Sequence, residues 1–156
     1  MHYTDAAGAP IDITHLPQGT DLIAEISVRN LTQHRIDNIA LAQLVPAGWE
    51  IENERLAGGD PNGTREEDDK KRAGSWYIPD GWSATTARAE YVDIRDDRLY
   101  RYFSLKPDEQ IYFRTRLNAA YRGHYYLPSI SVEAMYDATK LARTKGEWID
   151  VSAKEH

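Results

Sequence analysis

Over residues 110–119 apolar or small residues occupy every second position: Ile111, Phe113, Thr115, Leu117 and Ala119 alternate with Tyr112, Arg114, Arg116 and Asn118. In an extended strand successive side chains point to opposite faces, so a period of two buries one face and wets the other. A helix would scatter the same residues around its circumference. The period recurs at 21–29, where Leu22, Ala24, Ile26 and Val28 share one face and Glu25, Ser27 and Arg29 lie on the other. No helical period persists for three turns anywhere in the chain, so it is expected to fold from strands alone.

Further strands are expected at 36–45 and 48–52, divided by Pro46-Ala47-Gly48, where proline fixes one backbone angle and removes a ladder donor. Segments 91–95 and 99–105 should pair as a hairpin around Arg95-Asp96-Asp97-Arg98, because aspartate side chains bond nearby backbone amides. Lys106-Pro107-Asp108-Glu109 makes another turn. A strand is expected over 124–134, with Pro128 marking an edge or a bulge, and a short one over 147–152 closes a sheet. The count is seven or eight strands. The expected architecture is all-β, a two-sheet antiparallel β-sandwich of immunoglobulin or fibronectin III type. Residues 1–156 read as one domain with a long inserted loop at about 58–89, where the alternation fails. That loop holds Asp60-Pro61-Asn62-Gly63, the charge run 66–72 and the aromatic cluster 75–82. The charge run reads as solvated surface.

Several function classes are disfavoured by composition. The net charge of −6 supplies no positive field for phosphate backbones or anionic lipid, so neither nucleic acid nor a membrane is an expected partner. No stretch approaches the length of a membrane-spanning helix, and residues 1–10 lack the pattern of a signal peptide. The chain has no cysteine, which excludes thiolate chemistry and disulfides. His2, His15, His34, His124 and His156 show no spacing that converges on one metal, and Glu66-Glu67-Asp68-Asp69 lacks the order of a calcium loop. Asp96 and Asp97 read as turn residues rather than an acid/base pair. No enzyme and no cofactor are expected. Asn30-Leu31-Thr32 and Asn62-Gly63-Thr64 match a glycosylation pattern too short to carry a function. Trp76, Tyr77 and Trp82 are read as folding the loop back onto the sandwich, or alternatively as a ligand-binding surface of a free-standing carbohydrate-binding or adhesion module.

Five pieces in order, LVPAGWEIEN at 44–53, YVDIRDDR at 91–98, FSLKP at 103–107, FRTRLNAAYRGHYYLP at 113–128 and VEAMYD at 132–137, resemble the C-terminal domain of bacterial alpha-2-macroglobulins. The resemblance covers most of the chain outside the insertion. It implies a macroglobulin-like domain of a larger periplasmic or extracellular protease inhibitor at the bacterial envelope, whose reactive thioester sits in another domain. The partners it implies are that thioester domain, target proteases through the full-length inhibitor, and a periplasmic penicillin-binding protein. By the same resemblance, a loop with adjacent Met and Tyr, here Met135 and Tyr136, covers the thioester until a protease cleaves the bait segment. Met135 is a flexible apolar filler, and Tyr136 a flat ring with a hydroxyl, which suits a lid that must exclude water from an activated acyl group; by pattern alone Tyr136 would instead pack into the sandwich and Met135 fill a surface gap. Neighbours in a regular strand point apart, so the reading requires the strand to end or twist near Ala134, and Asp137-Ala138-Thr139-Lys140 allows this. The family pattern has Asp-Pro where this chain has Asp137-Ala138.

Overall fold

A computed structural model describes residues 1–52 and 89–154. In chain order the strands are β1 (His2–Asp5), β2 (His15–Pro17), β3 (Asp21–Arg29), β4 (Ile36–Leu44), β5 (Glu50–Ile51), β6 (Tyr91–Ile94), β7 (Arg98–Leu105), β8 (Gln110–Asn118), β9 (Gly123–Leu127), β10 (Ser131–Ala134), β11 (Asp137–Arg143) and β12 (Glu147–Ser152). Among the described residues three sheets form, in the orders β1-β3-β8-β5, β11-β10-β4-β7-β6 and β2-β12-β9. Neighbours run antiparallel except β2 and β12, which pair in parallel.

The alternation along β3 explains how three sheets make a sandwich. Leu22 and Ala24 pack with Leu16, Leu127, Ile149 and Val151 of the three-stranded sheet. Two residues further along the same face, Ile26 packs with Ile39, Leu41, Phe103 and Leu105 of the five-stranded sheet. One four-stranded layer therefore faces a second layer divided into two sheets, and each half has its own apolar cluster. Phe103 and Phe113 meet across the layers with ring centroids 5.0 Å apart. Burial of each such side chain contributes roughly 1.5–3 kcal/mol.

The all-β expectation holds, with differences of detail. The segment 124–134 is not one strand: β9 belongs to the three-stranded sheet and β10 to the five-stranded one. Pro128 lies in the crossing between them, where Thr144 receives and returns the bonds of Ile130, with Oγ1 accepting the Ile130 amide at 2.9 Å and the Thr144 amide donating to the Ile130 carbonyl at 2.9 Å. Strands β1, β2 and β11 were not expected, being too short or too exposed to show a period, so twelve strands stand among the described residues. The expected turns are present: the Trp49 amide donates to the Pro46 carbonyl at 2.9 Å and the Arg95 amide to the Arg98 carbonyl at 2.9 Å. Glycine is required at position 48 because a Cβ there would overlap the Tyr125 ring. The insertion expected at about 58–89, apart from Ala89, lies outside the described residues, and Trp76, Tyr77 and Trp82 lie there with it.

Candidate functional site

Strand β10 ends at Ala134, and Ala134 pairs with Asp137, so Met135 and Tyr136 form a two-residue turn at the tip of the β10–β11 hairpin. The turn is tied to the neighbouring strand by the Met135 amide, which donates to the Asn38 carbonyl at 3.0 Å. Asn38 itself sits at φ 55°, a left-handed conformation that asparagine tolerates better than most residues. Tyr136 is 84% exposed and Met135 51% exposed. Neither packs into the sandwich core. Below the turn, Asp137 Oδ1 accepts the Thr139 amide at 3.1 Å and the Thr139 hydroxyl at 2.5 Å, and its Oδ2 pairs with the Lys140 ammonium. The bond from Lys140, then those from Thr139, hold the Asp137 carboxyl down at about 2.

A second polar group lies inside the molecule. Gln43 on β4, Arg101 on β7 and Thr115 on β8 occupy inward positions, where the two apolar clusters meet. Arg101 is 6% exposed. Its guanidinium donates to Gln43 Oε1 at 2.9 Å, to Thr115 Oγ1 at 2.7 Å and to the Arg114 carbonyl at 3.4 Å, and it lies 5.3 Å from the Phe113 ring centroid. Thr115 Oγ1 donates in turn to Gln43 Oε1 at 2.8 Å. Among the described residues no carboxylate pairs with it, and burial pushes its pKa down to about 10. It remains a cation at neutral pH. The sequence carries a signal for this group, since Leu99-x-Arg101-x-Phe103-x-Leu105 puts an arginine in register with three core residues.

Strand pairing also assembles a surface row that spacing could not reveal. His15, Asp150 and His124 stand opposite one another on β2, β12 and β9. His124 Nδ1 is 2.7 Å from Asp150 Oδ1, and His15 Nε2 is 3.8 Å from Oδ2. The His124 ring stacks on Trp148 at 4.7 Å, and Tyr126 meets Trp148 edge-on at 5.3 Å. Among the described residues, no group of three His, Cys, Asp or Glu is placed to hold a metal ion. Asn30 is a structural residue: its Nδ2 donates to the carbonyls of His34 at 2.8 Å and Lys106 at 3.0 Å, while Oδ1 accepts the Thr32 amide at 2.9 Å.

The family model of the bacterial alpha-2-macroglobulin MG10 domain matches residues 2–138. The chain belongs to this family. An alpha-2-macroglobulin homolog of Yersinia pestis is 26% identical over 147 residues, which cover 93% of this chain and 7% of the relative. Native Escherichia coli alpha-2-macroglobulin, in a structure from domain MG7 to the C-terminus, superposes with a TM-score of 0.71 at 19% identity, over 96% of this chain and 22% of that one. The trypsin-activated E. coli protein gives 0.72 at 21% identity, over 96% of this chain and 10% of that one. Salmonella alpha-2-macroglobulin reacted with methylamine gives 0.70 at 20%, over 97% of this chain and 9% of that one. The MG10 chain thus spans a small part of its relatives' length. Domains of this family are non-catalytic.

Proposed function

We propose that this MG10 domain docks on the thioester domain of its full-length protein through Met135 and Tyr136, and shields the thioester until a protease cleaves the bait segment. The observation that carries the reading is the exposure of Tyr136, 84% at the tip of a hairpin tied down on both sides. A large aromatic ring held out in solvent gains roughly 1.5–3 kcal/mol when a partner buries it. A thioester survives only where water and amines are excluded, and a ring beside a thioether supplies an apolar cover with one hydroxyl to bond a carbonyl oxygen. The relatives fit this chemistry: the Salmonella protein reacts with methylamine, and the E. coli protein is activated by trypsin and by porcine elastase. Protease trapping, and a place in the periplasm or on the outer face of the envelope, belong to the same proposal. A penicillin-binding protein as partner rests on the family resemblance alone. The carbohydrate-binding alternative at Trp76, Tyr77 and Trp82 gains no support, since those residues lie outside the described ones.

The test is Tyr136→Ala in the full-length protein, with methylamine consumption followed before any protease is added. The expected result is an acceleration of about tenfold or more, equivalent to ~1.4 kcal/mol of lost shielding. The melting temperature of the domain should not move, because an exposed side chain leaves no cavity. An unchanged methylamine rate would overturn the reading.

A further inference from the structure

The turn at Met135 and Tyr136 is tight, but the strand that follows it is irregular. Ala134 pairs with Asp137, yet the partner of Glu133 is Leu141. Ala138, Thr139 and Lys140 therefore have no opposite residue on β10. An ordinary β-bulge carries one extra residue, and this one carries three. Backbone without a ladder partner, on an edge strand exposed along most of its length, belongs to the part of a fold that opens most easily. A tip resting on such a base would swing.

One carboxylate spans the gap. Asp137 takes the amide and hydroxyl of Thr139 and the ammonium of Lys140, so two of the three unopposed residues are bound to the residue at the start of the bulge. On the other side, the Met135 amide is bound to the Asn38 carbonyl. The tip is gripped from both ends of the turn. Side-chain bonds do the stiffening here.

We propose that Asp137 is a positioning residue: by closing the three-residue bulge it fixes the direction in which Met135 and Tyr136 project towards their partner. The inference rests on the shielding reading above. A tip already held in its docking direction does not have to be ordered on contact, so the clamp acts through preorganisation rather than by touching the partner. The Lys140 ammonium supplies the charge-assisted bond and Thr139 the directional ones, which makes the two separable by substitution.

The experiment compares Asp137→Ala, Asp137→Asn and Tyr136→Ala in the full-length protein by methylamine consumption. In the chain of residues 1–156 it adds amide hydrogen exchange at Thr139 and the melting temperature. Asp137→Ala should raise the methylamine rate about three- to tenfold, the range expected when an ordered surface group is set free. Thr139 exchange should quicken in the same variant while the melting temperature stays put. Asn keeps the acceptor for Thr139 and loses the pair with Lys140, so it should recover most of the shielding. If Tyr136→Ala accelerates the reaction and Asp137→Ala does not, the positioning role is wrong and the shielding reading stands. If neither accelerates it, the shielding reading fails and takes this inference with it. Acceleration accompanied by a lower melting temperature, equal in the Ala and Asn variants, would make Asp137 a fold residue and would also overturn the proposal.

Discussion

Two polar clusters, one buried and one exposed, make about the same number of hydrogen bonds and do different work. Arg101, Gln43 and Thr115 join three strands from two layers in a seam buried from solvent, and each bond there replaces hydration already lost. Asp137, Thr139 and Lys140 lie in one strand at the surface, where water competes for every bond. The buried cluster therefore bears on global stability and on which strands lie opposite one another. The exposed one bears on the direction of a single turn. What separates them is desolvation, not the number of contacts.

The comparison can be broken most forcefully at Gln43. Gln43→Leu leaves the buried guanidinium without its Oε1 acceptor, and denaturant unfolding should show a loss of about 3 kcal/mol. Arg101→Met should cost less, about 1 kcal/mol, because it removes the charge itself while Thr115 and Gln43 keep their mutual bond. A larger loss for Arg101→Met than for Gln43→Leu would mean that the cation, rather than the satisfaction of its partners, stabilises the seam. Acid should separate the two clusters. The folded Asp137 carboxyl sits at about 2, below its ordinary 3.8, so its contribution is complete above about pH 4 and lost as pH falls through 2. Protection of the Thr139 amide should fade over that window, measured by hydrogen exchange. Arg101 stays charged throughout it, because its value of about 10 lies far above. Fading at Thr139 that coincides with global unfolding would erase the distinction. The smallest effect belongs to Asp137→Asn, with a melting temperature equal to that of the unaltered chain.

The long strands were legible because their sequences carry a period of two: β3 and β8 lie within a residue of where the alternation puts them. The layer split was not legible. Nothing in Leu22, Ala24 and Ile26 says that one face will be covered by two different sheets, since that depends on where Pro128 sends the chain after β9. The inward Arg101 was readable from its register, yet a charge at a core position has meaning only once Gln43 and Thr115 are known to meet it. The tip at Met135 and Tyr136 was readable through the family likeness and the need for the strand to end there. Its clamp was not, because a three-residue bulge is a property of the pairing between β10 and β11, which the sequence of neither strand contains.

The parallel pair of β2 with β12 has a kinetic consequence. His15 lies against Asp150, so the three-stranded sheet and the apolar cluster beneath it join strands far apart in sequence. A ribosome releases the first of these strands long before the last emerges, and that half of the molecule must wait with Leu16, Leu22 and Ala24 uncovered. The other half, closed by β4, β7 and β8, contains contacts that complete earlier. Folding is expected to be slow, as in proteins rich in distant contacts, with the half closed by β4, β7 and β8 assembled first and the three-stranded sheet sealed when β12 pairs.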